Sequence, residues 1–134
     1  MEPASLNYNI VTELLRQELG YQHLVVTDDL EMGAISRHCD IESAALRAFK
    51  AGEDMLLICA TPDKIYRGYR SLLKAAQEGK LPKDRMRSSL RRIAATKAIV
   101  QSPLPFDLER IQALANEILK LNEKLNYTYG GTIK

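Results

Sequence analysis

Two adjacent acids, Asp28 and Asp29, close the apolar run Leu24-Val25-Val26-Thr27, and Gly33 and Ala34 then lead into a helical segment. An ionised carboxylate is costly to bury without partners, so acids collect where strands end and solvent or ligand begins. At the carboxyl end of a parallel strand such a residue reads as catalytic or ligand-binding. Two readings fit the pair: a catalytic carboxylate, or a strand-terminal Asp-Asp that holds Mg²⁺. Neighbouring strand residues point to opposite faces, so the two cannot reach one substrate atom from an extended backbone. One should face the mouth of the site. The other should pack sideways or accept N–H groups of the following turn. The bland alternative is that both are turn and cap residues, as Asp often is after a strand.

The elements that must position this pair follow from periodicity. Ile10, Val11, Leu14 and Leu15 recur at helical spacing over 7–19, with Gly20 as a stop. Leu24 to Thr27 reads as the first strand. Asp40 caps a helix through Ala51, with Ala44, Ala45, Ala48 and Phe49 on its core face and Gly52 ending it. Met55 to Cys59 is a continuous apolar run, hence a second, buried strand. Asp63 caps a helix bearing Ile65, Tyr69, Leu72, Leu73 and Ala76, which Gly79 stops. Pro82 opens another, with Met86, Leu90, Ile93 and Ala94 on one face. Pro103-Leu104-Pro105 is a break, and Asp107 caps a last amphipathic helix. A Gly-rich tail, Tyr127 to Lys134, is expected to be mobile. The middle of the chain is thus one βαβ unit, expected to be parallel.

The residues around Asp28 carry a family resemblance. Leu14-Leu15-Arg16-Gln17-Glu18-Leu19-Gly20-Tyr21 followed by Leu24 to Asp29 resembles the active-site signature of glycoside hydrolase family 3, close to its bacterial β-N-acetylhexosaminidase branch. Ile41-Glu42-Ser43-Ala44-Ala45, Ala51 to Leu57 and Ser89-Leu90-Arg91-Arg92-Ile93 resemble the same branch, so the likeness covers residues 3–100. His23 stands where the family usually has Gly, and Glu31 where a small residue is more common. The resemblance implies Asp28 as nucleophile and Asp29 in a supporting role, with no cofactor and no metal. It implies hydrolysis of β-linked N-acetylglucosamine or a related β-glycoside, as in cell-wall sugar recycling. The two strands would be the seventh and eighth of the family's barrel. A complete (β/α)₈ barrel takes about 250 residues. The expected fold class is therefore α/β: a partial TIM barrel of about the last two β/α units (1–101), then a C-terminal helix and tail (102–134).

A retaining glycosidase also needs a group that protonates the leaving oxygen and later activates water. In this branch the resemblance implies a His supported by an Asp, on a loop that carries Lys-His and then Gly-His. This sequence has no such motif. His23 and His38 read as surface or packing residues. The chain is therefore expected to be inactive alone, and to meet a β-glycoside only when the missing strands are supplied. The alternatives are a non-catalytic oligomerising remnant, one half of a split enzyme, or a receiver-like Mg²⁺ domain. The last needs a third acid where this chain has Cys59-Ala60. Unpaired strand edges favour a homo-oligomer or a partner chain.

Composition excludes little else. The 134 residues are 46% hydrophobic and 27% charged, as in globular proteins. A net charge of +2 gives no case for nucleic acid, and the basic run Lys83 to Lys97 reads as a solvated helix face. Tyr66, Tyr69, Tyr127 and Tyr129 are candidate sugar-stacking rings, the first pair more simply packing or surface residues. Cys39 and Cys59 read as reduced, buried thiols. No apolar run approaches the ~20 residues of a membrane span. No signal peptide is recognisable, so a cytoplasmic location is expected.

Overall fold

A computed structural model of the chain describes residues 2–102 and 105–125. It divides into two compact units, Met1–Val100 and Gln101–Lys134. The Pro103-Leu104 part of the expected break and the tail from Tyr127 lie outside the described residues. The first unit holds a short 3₁₀ turn (Ala4–Leu6), a π-helix (Asn9–Glu18), β1 (Val26–Asp29), α1 (Gly33–Ser36), α2 (Ile41–Ala51), β2 (Met55–Leu57), α3 (Pro62–Gln77) and α4 (Lys83–Ala98). The second holds α5 (Leu108–Lys124).

β1 and β2 form a two-stranded parallel sheet, with Val26 opposite Met55 and Asp29 opposite Leu57. Three steps along β1 thus match two along β2, which is a bulge at Thr27–Asp28. The Thr27 hydroxyl oxygen accepts the Leu57 N–H at 2.9 Å and replaces the missing ladder bond. Pairing then resumes, with Leu30 N–H donating to the Leu57 carbonyl at 2.9 Å. The ladder therefore reaches past the apolar run and includes both acids, whereas the sequence placed the strand's end at Thr27.

α2 packs on this sheet through its small face. Ala44, Ala45 and Ala48 are fully buried, in a cluster with Leu6, Leu30, Ile35 and Ile41. α3 approaches closely because Gly68 has no side chain; a Cβ there would lie 2.6 Å from Ile58 Cδ1. α2 is capped as expected, its Asp40 carboxylate accepting the Ser43 N–H. Gly52 ends it with φ +130°, a conformation open to glycine, and a Cβ there would lie 2.6 Å from Thr12 Oγ1.

Four expectations need correction. The 7–19 helix is wound as a π-helix, with Leu19 N–H donating to the Leu14 carbonyl at 2.9 Å; nothing in the structure explains this winding. β2 is not buried on both faces: Val26, Met55 and Leu57 are 41%, 37% and 39% exposed, because the two-stranded sheet leaves one face half open. Thr61, not Asp63, precedes the first turn of α3, where Pro62 supplies the fixed φ and Asp63 lies inside the turn. Finally, the basic stretch of α4 is not wholly solvated, since Arg85 and Arg92 turn inward.

Their target is Asp54, whose side chain is fully buried at the amino end of β2. Its carboxylate accepts from Arg92 Nε and Nη2, both at 2.8 Å, from Ser89 Oγ at 2.6 Å and from Arg16 Nη2 at 2.7 Å. Val25 N–H at 3.1 Å and Arg85 Nη1 at 3.3 Å complete the shell. Burial opposes ionisation here, but the hydrogen bonds from Arg92, Ser89 and Val25 and the Arg16 charge outweigh it and hold the carboxyl well below its usual range.

Glu53, next in the chain, has the opposite environment. It is 4% exposed, and its Oε2 has no hydrogen-bond partner among the described residues. Burial pushes its carboxyl up to about 7, with Asp54 adding to the rise and Arg16 and Arg85 opposing it. Glu53 thus binds its proton more tightly folded than unfolded. Its contribution to stability is full below the unfolded pKa of about 4.5 and is lost as pH rises towards 7, by an amount on the order of 3 kcal/mol. Thermal melts of the wild type should fall as pH rises through this window. Glu53→Gln should remove that part of the slope and be the more stable protein at pH 8. Parallel pH profiles for the two proteins would contradict the assignment, and any histidine titration cancels in the comparison.

Candidate active site

The carboxyl end of the sheet collects three acids, Asp28 and Asp29 at the end of β1 and Glu31 on the β1–α1 turn. Asp28 is exposed, and its Oδ1 accepts the Asp29 N–H at 2.8 Å. Its Oδ2 has no partner among the described residues. Asp29 is half-buried, and its Oδ1 accepts the Glu31 N–H at 3.0 Å and the Cys59 N–H at 3.2 Å. The bulge at Thr27–Asp28 and this pair of bonds give the two neighbours different tasks. Asp29 is spent on backbone, and Asp28 keeps a free oxygen towards solvent.

Glu31 was not singled out for chemistry, yet it is the most constrained acid of the three. Its Oε2 accepts the Ala60 and Thr61 N–H groups at 2.7 and 3.0 Å, and Lys64 Nζ lies 3.2 Å from Oε1. Hydrogen bonding at Thr61, then at Ala60, holds its carboxyl down at about 2. Three consecutive N–H groups of the β2–α3 loop, at Cys59, Ala60 and Thr61, therefore end on the carboxylates of Asp29 at the end of β1 and Glu31 on the following turn. The two loops at this rim are pinned to one another by these hydrogen bonds. The signal in the sequence was the very departure from the family pattern, a Glu where a small residue is common.

The remaining candidates lie elsewhere. His23 sits before β1, at the other end of the sheet; its ring meets Tyr21 edge-on at 5.6 Å and its carbonyl accepts from Arg16. His38 is exposed beyond α1. Neither hydrogen-bonds to Asp28 among the described residues. Cys39 is half-buried and Cys59 exposed, which corrects the expectation of two buried thiols; both are free. Partial desolvation and the carboxylates of Asp29, Glu31 and Asp28 push the Cys59 thiol above its ordinary value, so it is a poor nucleophile at neutral pH. Tyr66 and Tyr69 are exposed on α3, and Arg70 lies 5.6 Å from the Tyr66 ring centre. Tyr127 and Tyr129 lie outside the described residues. Among the described residues no three His, Cys, Asp or Glu side chains are grouped to hold a metal ion. In the same residues no helix is long and apolar enough to cross a membrane.

One exposed carboxylate with a free oxygen, backed by a second fixed on backbone, is a local arrangement suited to nucleophilic attack on an electrophilic carbon. Residues 1–96 match the family model described as the glycosyl hydrolase family 3 N terminal domain. The chain belongs to glycosyl hydrolase family 3. It is 36% identical over 103 residues to a beta-hexosaminidase A of Pseudoalteromonas piscicida, covering 72% of this chain and 17% of that protein. Against a beta-hexosaminidase of Bordetella avium it is 44% identical over 62 residues, which are 46% of this chain and 18% of the other. Among solved structures it resembles a fungal multi-domain family 3 beta-N-acetylglucosaminidase with a TM-score of 0.77 at 34% identity, over 87% of this chain and 14% of that one. A family 3 beta-N-acetylglucosaminidase from Paenibacillus matches with a TM-score of 0.72 at 33% identity, over 79% of this chain and 21% of the other. The chain thus spans about a fifth of the length of these relatives.

The loop clamp has a direct test. In Glu31→Ala, the Ala60 and Thr61 amides should exchange with solvent at least about tenfold faster, because each loses a charge-assisted hydrogen bond. Hydrogen exchange followed by NMR checks this, and unchanged protection at both amides would show that Glu31 does not hold the loop.

Proposed function

We propose that this chain is the nucleophile-bearing part of a retaining family 3 β-N-acetylhexosaminidase. It would supply the last two β/α units of a (β/α)₈ barrel, with Asp28 as nucleophile and Asp29 supporting it. The observation that carries this reading is the free, exposed Asp28 carboxylate at the carboxyl end of β1, in a family whose relatives above are hexosaminidases. Attack of a carboxylate oxygen on the anomeric carbon forms a glycosyl ester and releases the leaving alcohol, which takes a proton from a separate acid. Water then cleaves the ester with the same group acting as base. Neither His23 nor His38 is placed for that role. The acid/base and the sugar-binding wall would come from the six strands that precede these two, and the isolated chain is inactive on this account.

The half-open apolar face of Val26, Met55 and Leu57 favours a second form of the same idea. That face and the free edges of a two-stranded sheet would be completed by another chain, as in a split enzyme or a non-catalytic oligomerising remnant.

Hydrolysis of an aryl β-N-acetylglucosaminide should be undetectable with the isolated chain, since positioning supplies about 7–11 kcal/mol of such a barrier. Joining or adding the missing six strands should produce activity, and Asp28→Asn in the completed enzyme should remove it. Asp29→Asn should impair folding or turn geometry more than chemistry. Turnover by the isolated chain would sink the proposal, as would wild-type rate in completed Asp28→Asn on an unactivated glycoside.

A further inference from the structure

α5 is a defined helix with a continuous apolar stripe. The Asp107 carboxylate caps it by accepting the Arg110 N–H at 2.9 Å, and none of its residues is buried. Five of its large apolar residues, Ile111, Leu114, Ile118, Leu121 and Leu125, are between 49% and 66% exposed. Their spacing of three and four residues is a heptad seam, with isoleucine at two a positions, 111 and 118, leucine at the third, 125, and leucine at both d positions, 114 and 121. That choice of side chains favours two parallel strands over higher orders.

The charges beside the seam select the same arrangement. Arg110, Glu117 and Lys124 occupy the g positions, and Leu108, Ala115 and Asn122 the e positions. In a parallel, in-register pair each g residue faces an e residue of the other helix, so Arg110 meets Ala115 and Glu117 meets Asn122, with no like charges opposed. An antiparallel pair that aligned the same apolar layers would set Arg110 against Lys124 and Glu117 against Glu117, which is repulsive at every flanking g position.

We propose that α5 is a self-association helix that pairs in parallel with α5 of a second copy of this chain. The surface is independent of the candidate active site and does not rest on the glycosidase reading. Two heptads make a short seam, so association should be weak and concentration-dependent.

Sedimentation equilibrium of the full chain tests this. The wild type should shift from monomer towards dimer as concentration rises, and Ile118→Lys should remain monomeric. Ala115→Glu distinguishes the orientations. In the parallel pair the introduced carboxylate meets Arg110 of the other copy twice, and dimerisation should tighten roughly threefold. In the antiparallel pair the two carboxylates would oppose each other, and association would weaken. A wild type that stays monomeric, a dimer that survives Ile118→Lys, or weaker association of Ala115→Glu would each overturn the proposal.

Discussion

The architecture of the first unit depends on one buried charge. The Asp54 side chain has no solvent exposure, and its carboxylate is the meeting point of Arg16 from the π-helix, Val25 just before β1, and Arg85, Ser89 and Arg92 from α4. α4 lies more than 50 residues from the π-helix and β1 in the sequence. A buried carboxylate must be matched by donors, so each donor's element has one place to go. Arg85 adds a second tie: it donates to the Phe49 carbonyl at 3.1 Å and lies 4.5 Å from the Phe49 ring centre. Arg16 likewise donates to the Gly52 carbonyl, which links the π-helix to the end of α2.

This arrangement divides labour between the two ends of the sheet. At the amino end Asp54 gathers the helices. At the carboxyl end Asp29 and Glu31 bind the two exit loops to one another, and Asp28 is left free. The family resemblance looks different in this light. Arg16, Asp54, Ser89 and Arg92 lie in the segments that resemble family 3, yet they converge on the structural charge rather than on the candidate nucleophile. Much of the recognisable pattern therefore records how the scaffold is held, and the proposed chemistry rests on Asp28 and its turn alone.

The order of elements was legible because hydrophobic period, Asp40, Gly52 and Pro82 each act through local chemistry that a sequence displays. Three features were not. The bulge at Thr27 depends on a hydroxyl bonding across to Leu57, a partner 30 residues away. The inward turn of α4 depends on Asp54. Arg85, Ser89 and Arg92 share one helical face at spacings of four and three, but the neighbouring stripe of Met86, Leu90 and Ile93 is apolar and attracted the core assignment. The charge prevails in the structure: Ser89 is 3% exposed and Leu90 64%. The Glu31 clamp was hidden because a family departure carries no sign of its purpose until the Ala60 and Thr61 amides are seen beside it.

The division between a structural carboxylate and the proposed nucleophile is measured most directly by urea unfolding of two isosteric variants of the isolated chain. Asp54→Asn leaves the inward-facing Arg16, Arg85 and Arg92 without their counter-charge and should lose about 3–5 kcal/mol of stability. Asp28→Asn changes an exposed group with one local bond and should stay within about 0.5 kcal/mol of the wild type. A small effect at Asp54, or an equal loss at both positions, would contradict the account.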